Sequence, residues 1–205
     1  MKQQPRFITL EGIDGAGKST HIQGIANWIT DHGFDLVTTR EPGGTVIGEQ
    51  LRELVLHQKM DVISETLLMF AARNEHIKQV IEPALESGKW VLSDRFTDAS
   101  FAYQGGGRGV SWQTLNTLAN WVEARTPDLT LLFDIDPDIA KQRVAQSTPE
   151  PDRFEQERNS FFMRVREAYL QRAKEHPERI VIVNSATDLA QLKSNVITIL
   201  NERLL

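Results

Sequence analysis

Short apolar runs alternate with longer segments whose apolar residues recur at helical spacing along most of the chain. This alternation is typical of repeated strand–helix units, in which helices cover both faces of a parallel sheet. Five apolar runs predict strands, at residues 7–11, 35–39, 90–93, 129–135 and 180–183. The last two runs are almost continuously apolar, as expected of strands that are covered on both faces. The pattern therefore predicts an α/β fold around a five-stranded parallel sheet.

Between the strands, the helical segments carry recognisable start and stop signals. They begin near Lys18, Ile47, Ile63, Trp112, Pro137, Glu155 and Asp188. Asp136 followed by Pro137 predicts a helix start, since aspartate caps helices and proline is favoured at the first helical position. The long segment 61–82 meets Pro83, which we expect to end or kink the helix. Gly88 then fits the turn into the third strand.

Two polar segments predict loops. Residues 104–109 (QGGGRG) are too rich in glycine for the interior of a helix or strand. Residues 146–152 (QSTPEPD) are polar and contain two prolines, which predicts a lid over a site. Because there are no repeats and no Gly/Ser linker, we expect a single domain over residues 1–205, with the lid at about 143–154.

Composition narrows the classes of function. With 205 residues, of which 40% are hydrophobic and 25% charged, the chain can fold around a core. A net charge of −5 argues against a binder of nucleic-acid polymers, which is usually basic. The absence of cysteine excludes disulfides, cysteine-ligated metals and thiol nucleophiles. The five histidines lack the spacing of metal ligands, so we interpret them as structural or solvated. No apolar run predicts a signal peptide or a membrane span, so we expect a cytoplasmic protein without a membrane partner.

The first predicted strand leads directly into a phosphate-binding motif. Gly12, Gly17, Lys18 and Ser19 match the pattern G-x-x-x-x-G-K-[ST]. Glycines let backbone N–H groups turn towards phosphate oxygens, and the helix that follows directs the positive end of its dipole at them. We expect Lys18 to contact the β- and γ-phosphates of ATP and the Ser19 hydroxyl to bind Mg²⁺. The expected nucleotide-binding residues are Gly12, Ile13, Asp14, Gly15, Ala16, Gly17, Lys18, Ser19 and Thr20.

A phosphate-binding loop does not by itself specify a reaction. A GTPase would need a guanine-reading N-K-x-D string, which does not occur, and motor or transporter ATPases are usually larger. A small domain with a lid predicts a phosphotransferase for a small acceptor, because the lid must exclude water. Two alternatives remain open. One is a module that binds nucleotide without turnover. The other is a deoxynucleoside kinase, which would need a carboxylate near Glu41 as a general base. A phosphate acceptor is already anionic and needs no such base.

Arginines near the ends of the predicted strands are candidates for holding an anionic acceptor. Arg40 and Arg95 follow strands, where ligands of such sheets bind, and a phosphate monoester needs cations because transfer joins two anions. Each arginine can equally be a surface ion-pair partner. Asp94 is either a carboxylate near Mg²⁺ or a turn residue. Phe70 and Arg73 share a helix face and can hold a planar base, or they lie in the core and on the surface respectively.

Six motifs together resemble one known family. In chain order they are FITLEGIDGAGKST, TREPGGT, FAAR, SDRF, AYQGGGRG and PDLTLLFDIDP, and the resemblance covers the chain from about Phe7 to Phe154. The chain resembles the bacterial thymidylate kinases, which transfer the γ-phosphate of ATP to dTMP in dTTP synthesis. TREPGGT after a phosphate-binding loop is highly specific to this family, whereas DRF and the loop are shared with relatives. The resemblance implies a three-layer P-loop kinase fold with a short lid, the use of ATP and Mg²⁺, and a homodimer. The apolar residues of 112–121 either serve that dimer or, as is more usual for such residues, pack in the core.

The resemblance also assigns roles to residues. Arg40 and Arg95 correspond to the arginines that hold the dTMP phosphate, and Asp14 to a carboxylate between donor and acceptor. Phe70 corresponds to the aromatic residue that stacks on thymine, and Arg73 to the arginine that reads its O4. The remaining correspondences are Ser100 and Gln104 at the base edge, Tyr103 beneath the sugar where it crowds a 2′-hydroxyl, Asp94 at magnesium, and 184–187 beside adenine.

Two positions depart from patterns found in the family. The phosphate-binding loop has no arginine, so the chain resembles members whose catalytic arginines lie in the lid; we expect Arg153 at the transferred phosphoryl group, with Arg143 as the second choice. Some relatives place the stacking aromatic four residues before the arginine, where this chain has Met69, but Phe70 has the aromatic face that methionine lacks. The expected catalytic set is Lys18, Asp14, Arg95, Arg153 and Arg143.

Overall fold

One parallel sheet forms the centre of the computed structural model, which describes residues 4–122, 125–147 and 152–205. The strands are β1 (Phe7–Glu11), β2 (Leu36–Arg40), β3 (Trp90–Asp94), β4 (Leu129–Asp134) and β5 (Ile180–Asn184). They lie in the order β2-β3-β1-β4-β5, and every neighbouring pair is parallel. Each strand begins and ends within one residue of its predicted position. The predicted α/β fold with a five-stranded parallel sheet is confirmed.

Helices flank the sheet. They are α1 (Lys18–Asp31), α2 (Val46–His57), α3 (Val62–His76), α4 (Glu82–Glu86), α5 (Thr97–Ser100), α6 (Trp112–Val122), α7 (Pro137–Ser147), α8 (Asn159–Glu175) and α9 (Leu189–Leu204). The start predicted near Glu155 is wrong: α8 begins at Asn159, because the Asp152 carboxylate accepts the N–H groups of Phe154 and Glu155 and holds a turn there. Within the described ranges, no helix has the length and apolarity needed to span a membrane.

Pro83, which we expect either to end or to kink the helix, does not end the helical backbone. A π-helical turn (Ile77–Ile81) follows α3 and leads into α4. Pro83 then occupies the first turn of α4, where a missing N–H costs least because the first amides of a helix have no partner within it. Gly88 ends α4 with a φ of 82°, as expected for a turn into β3.

The glycine-rich stretch after α5 is helical over most of its length, so the predicted loop is wrong there. Residues Phe101–Gly107 form a π-helix that packs against α8. A Cβ atom at Gly106 would lie 2.6 Å from the Ala168 Cβ and 2.7 Å from the carbonyl oxygen of Arg164. The glycines therefore serve close packing between two helical segments.

The carboxyl edge of the sheet brings separate motifs together. Leu10 in β1 is in register with Asp94 in β3, and Asp94 is in register with Arg40 in β2. Most buried apolar side chains of the strands, among them Leu10 and Leu92, belong to the main hydrophobic core, whereas Phe7 and Val91 belong to a second cluster. This core fixes the strand ends, so the polar residues that follow them meet where ligands of such sheets bind.

Candidate active site

The loop between β1 and α1 places a buried lysine across a glycine-rich turn. Gly12 and Gly17 have φ angles of 135° and 92°, a region that favours glycine. The Lys18 Nζ donates hydrogen bonds to the carbonyl oxygens of Gly12 at 2.8 Å and Ile13 at 3.2 Å. Burial and the charge of Arg95 lower the pKa of the Lys18 ammonium. The predicted phosphate-binding motif thus forms a turn at the N-terminus of α1, with the ammonium group folded across it.

Two adjoining pockets open at this turn. The larger, here called the P-loop pocket, has a cavity volume of about 680 Å³, and its lining includes Lys18, Ser19, His21, Arg143, Ser185 and Thr187. The smaller, here called the inner pocket, has a volume of about 80 Å³, and its lining includes Met69, Ala99, Tyr103, Gln104 and Phe154. Asp14, Glu41, Arg52 and Arg95 line both pockets.

An ion pair lies at the boundary between the two pockets. The Arg95 Nη2 donates to the Asp14 Oδ1 at 2.6 Å and to the Tyr103 hydroxyl at 3.2 Å. The Tyr103 hydroxyl in turn donates to the Asp14 Oδ2 at 3.2 Å. Although burial opposes it, the charges of Arg95 and Lys18 lower the pKa of the Asp14 carboxyl. Burial raises the pKa of the Tyr103 hydroxyl. Asp14 and Arg95 are therefore held in fixed positions at the boundary, bonded to each other and to the Tyr103 hydroxyl.

A buried carboxylate at the end of β1 supports Arg95. Arg95 has a φ of 72°, which is unusual for a residue with a Cβ atom. The Glu11 carboxylate accepts the N–H of Phe96, the next residue, at 2.7 Å and the hydroxyl of Tyr169 at 2.8 Å. Tyr169 also lies 3.4 Å from the Arg95 Nη1. Burial and the charge of Asp98 raise the pKa of Glu11 to about 8.

Ser19 and Asp94 offer oxygen atoms suited to a magnesium ion. Both side chains line the P-loop pocket. The Asp94 Oδ1 is buried and has no hydrogen-bond partner among the described residues. Mg²⁺ usually takes one or two protein oxygens and completes its shell with phosphate and water, so it needs no larger cluster of acidic groups. These two residues therefore fit a magnesium ion that also contacts a bound nucleotide.

A chain of hydrogen bonds fixes Arg73 behind the inner pocket. The Arg73 Nε donates to the Glu41 Oε2 at 2.8 Å, and its Nη2 donates to the Ser100 Oγ at 3.0 Å. The other Glu41 oxygen bonds the His76 Nδ1 at 2.8 Å, and the His76 Nε2 bonds the Thr39 Oγ1 at 2.6 Å. The Arg73 Nη1 is buried and lacks a hydrogen-bond partner in the part of the chain that the structure describes. Arg73 is thus a buried residue whose Nη1 group is available as a donor, not a surface residue.

A second buried carboxylate lies against Gln104. The Gln104 Nε2 donates to the Glu65 Oε1 at 2.9 Å, and the Arg153 Nη2 donates to the Glu65 Oε2 at 2.6 Å. The Arg153 Nε also donates to the carbonyl oxygen of Val55 at 3.1 Å. Glu65 therefore connects a residue that lines the inner pocket to a residue at the base of the predicted lid.

Comparisons with known proteins agree with this geometry. Residues 10–196 match the family model described as thymidylate kinase. The chain belongs to the thymidylate kinase family. A thymidylate kinase of Paraburkholderia xenovorans is 55% identical over 193 residues, which are 92% of this chain and 93% of that protein. One of Nitrosomonas europaea is 54% identical over 203 residues, covering 98% and 94%. The crystal structure of the thymidylate kinase from Ehrlichia chaffeensis superposes with a TM-score of 0.79 at 33% identity, covering 97% of this chain and 99% of that chain.

Most of the residues predicted from the thymidylate kinase motifs come together at the two pockets. Those that line a pocket are Asp14, Gly15, Gly17, Lys18, Ser19, Thr20, Arg40, Asp94, Arg95, Tyr103, Gln104 and Arg143. Ser185 and Thr187, from the segment expected beside adenine, also line the P-loop pocket. Arg73 and Ser100 are bonded to each other behind the inner pocket.

Phe70, the residue expected to stack on the base, lines neither pocket. The Phe70 ring is 2% exposed and packs with Phe101, Val110 and Leu115. Met69, which precedes it, lines the inner pocket. Both positions lie within one turn of Arg73, so helical spacing alone cannot separate them. The aromatic ring takes the apolar site, where burying its larger surface gains more free energy.

The arginines are arranged differently from the expectation. Arg40 is half-exposed and pairs with Glu49 at 2.9 Å, although it lines the P-loop pocket. Arg52, which sequence reasoning missed, lines both pockets and donates to the carbonyl oxygen of Pro42 at 3.0 Å. It lies inside a helical segment without a motif, so no local signal marks it. Of the two lid arginines, Arg143 lines the P-loop pocket, whereas Arg153 is paired with Glu65; residues 148–151 between them lie outside the described residues.

Proposed function

We propose that the protein transfers the γ-phosphate of ATP to dTMP, giving ADP and dTDP for dTTP synthesis. The observation that carries the proposal is the pair of adjoining pockets with Asp14 and Arg95 at their boundary. One pocket opens at the phosphate-binding turn, and the other is lined by side chains suited to a nucleoside. Membership of the thymidylate kinase family supports dTMP as the acceptor and ATP as the donor.

The P-loop pocket is the proposed site of ATP. Backbone N–H groups of the turn and the Lys18 ammonium contact the β- and γ-phosphates. Ser19 and Asp94 would hold Mg²⁺, which when bound offsets phosphate charge. Ser185 and Thr187 line the same pocket, and we assign them to the adenine side.

The inner pocket is the proposed site of dTMP. Arg95 and Arg52 lie at its boundary with the P-loop pocket and bind the dTMP phosphate, with Arg40 on the P-loop side. Tyr103 lies beneath the sugar. The free N–H group of Arg73 and the side chain of Gln104 address the base edge, and Met69 supplies an apolar wall.

Phosphoryl transfer then needs alignment and charge compensation more than covalent chemistry. The acceptor phosphate is already anionic, so no general base is required. Glu41, the carboxylate that a kinase of a 5′-hydroxyl would need, is buried and bonded to Arg73 and His76. This arrangement favours a nucleoside monophosphate as acceptor over a nucleoside. Lys18 and Arg95 offset the charge of the transferred group, and Arg143 is the lid arginine on the donor side.

We further propose that the protein is a cytoplasmic homodimer, as the thymidylate kinase resemblance implies. Apolar side chains are exposed on three helices: Val46 and Leu54 on α2, Ile63 and Leu67 on α3, and Trp121 on α6. Helix α3 packs against both α2 and α6, so the three helices are neighbours. Exposed apolar side chains on neighbouring helices support association with a second copy.

A coupled assay of ADP release tests the proposed reaction. The protein is mixed with ATP and Mg²⁺ and with either dTMP or thymidine as acceptor. We expect ADP release with dTMP and none with thymidine. Phosphorylation of thymidine without phosphorylation of dTMP would show that the protein is a nucleoside kinase. No ADP release with either acceptor would favour a nucleotide-binding module.

A further inference from the structure

The orientation of the Gln104 side-chain amide is determined by the residue behind it. Gln104 and Glu65 are both 1% exposed, and the Gln104 Nε2 donates to the Glu65 Oε1 at 2.9 Å. A carboxylate accepts hydrogen bonds and does not donate them, so the NH₂ group of the amide must face Glu65. The amide oxygen must then face the other way. It is buried and has no hydrogen-bond partner among the described residues, and Gln104 lines the inner pocket.

Two arginines on the side of Glu65 opposite Gln104 keep its carboxylate an acceptor for the Gln104 amide. The Arg153 Nη2 donates to the second oxygen at 2.6 Å, and the Arg108 Nε lies 3.6 Å from the same oxygen. All three neighbouring groups approach Glu65 as donors. If the Gln104 amide turned over, its oxygen would face a carboxylate oxygen, which is a repulsive contact between two buried acceptors.

The inner pocket consequently offers an acceptor from Gln104, and Arg73, bonded to the Glu41 that lines the pocket, holds an unpartnered donor behind it. The Gln104 Oε1 and the Arg73 Nη1 are both buried polar atoms that have no hydrogen-bond partner within the described ranges. Thymine and uracil present the complementary pair, an O4 acceptor beside an N3–H donor. Cytosine presents the opposite pair, an N4 amino donor beside an N3 acceptor. A cytosine ring would therefore set its N3 acceptor against the acceptor oxygen of Gln104.

We propose that Glu65 is a positioning residue that selects thymine and uracil over cytosine by holding the Gln104 amide with its oxygen towards the base. Glu65 acts through Gln104 and does not itself touch the substrate. The inference rests on the proposed function, in which dTMP occupies the inner pocket. The discrimination between thymine and cytosine thus depends on a carboxylate that contacts Gln104 and not the base.

The test is the substitution Glu65→Gln, which preserves size but offers either an oxygen or an NH₂ group to Gln104. The measurement is kcat/KM for dTMP, dUMP and dCMP at saturating ATP. We expect the ratio of dTMP to dCMP to fall at least about tenfold, because the amide can now turn to suit either base. The ratio of dTMP to dUMP should stay unchanged, since both bases present the same edge to Gln104. A general loosening of the site would instead alter both ratios.

Two further variants control this result. Glu157→Gln removes the other carboxylate that pairs with Arg108 and should leave both ratios unchanged. The exchange Glu65→Gln/Gln104→Glu keeps the atoms and net charge of the buried pair, so it remains informative if the single variant does not fold. In the exchanged protein the amide at 65 donates to the carboxylate at 104, whose second oxygen still faces the base. We expect it to regain the preference for dTMP over dCMP.

The outcomes separate this inference from the proposed function. If the unaltered protein phosphorylates dTMP but the dTMP-to-dCMP ratio is unchanged in Glu65→Gln, or if the exchanged pair prefers dCMP, the role of Glu65 is wrong while the function stands. If the unaltered protein phosphorylates neither dTMP nor dUMP, the proposed function itself is wrong.

Discussion

Replacing Glu41 with glutamine distinguishes a positioning carboxylate from a catalytic base. The Arg73 side chain is 0% exposed and Glu41 3% exposed, and their Nε and Oε2 atoms are 2.8 Å apart. Removing one partner of such a buried pair leaves the other charge uncompensated, which costs about 3–5 kcal/mol. Glutamine still offers one oxygen, so we expect a loss near the lower value, about 3 kcal/mol.

Converted to temperature, a loss of about 3 kcal/mol lowers the Tm of a protein of this size by about 6–12 °C. The KM for dTMP should rise because Arg73 is no longer held behind the inner pocket. We expect kcat to remain within about tenfold of its original value, since Glu41 takes no proton in the proposed reaction. Thermal unfolding and steady-state kinetics at saturating ATP measure all three quantities.

The matched control is Glu82→Gln, which removes a surface ion pair between Glu82 and Lys78 on the helical segment that follows Arg73. An exposed pair four residues apart contributes only about 0.3–0.5 kcal/mol, so the Tm should hardly change. A loss of kcat beyond about a hundredfold in Glu41→Gln, with unchanged Tm, would contradict this reasoning, because general bases contribute on that scale. It would instead favour a kinase of 5′-hydroxyl groups.

The other predictions concern the donor phosphates, the lid and pH. Lys18→Ala should lower kcat at least about a hundredfold, since it removes a cation from the transferred phosphate; near-normal kcat would refute that role. Arg143→Ala should lower kcat more than Arg153→Ala, because Arg143 lines the P-loop pocket and Arg153 is paired with Glu65; the reverse order would return Arg153 to the transferred phosphoryl group. Folding raises the pKa of Glu11 from 4.5 to about 8. The protonated Glu11 carboxyl therefore stabilises the folded state fully below pH 4.5, and this stabilisation is lost as the pH rises through about 8. Urea unfolding between pH 5.5 and 8.5 should show falling stability, with a smaller change in Glu11→Gln; an equal change in both proteins would exclude Glu11 as the source.

Local patterns were sufficient to predict the sheet and the phosphate-binding turn. The strands are short apolar runs, and the run that forms β4 is buried along five of its six residues, so its apolar character is almost continuous in sequence. Gly12, Lys18 and Ser19 lie close together in the chain, and their spacing carries the chemistry. Features of this kind need no knowledge of what packs against them.

Features that depend on packing partners could not be predicted in the same way. Phe70 and Met69 are adjacent, and only the presence of Phe101 and Leu115 decides which of them faces the core. Glu65 is a glutamate near the start of a helix, which normally indicates an exposed residue, yet it is 1% exposed because two arginines and a glutamine surround it. The order of the strands brings these partners together from distant parts of the chain.

The proposed function depends on direct phosphoryl transfer between ATP and dTMP, each held in one of the two adjoining pockets. The most direct test supplies ATP labelled on its γ-phosphate together with dTMP and Mg²⁺, and then locates the label among the products. We expect the label in the β-phosphate of dTDP, in equal amount to the ADP formed. Label released as inorganic phosphate, with dTMP unchanged, would contradict it.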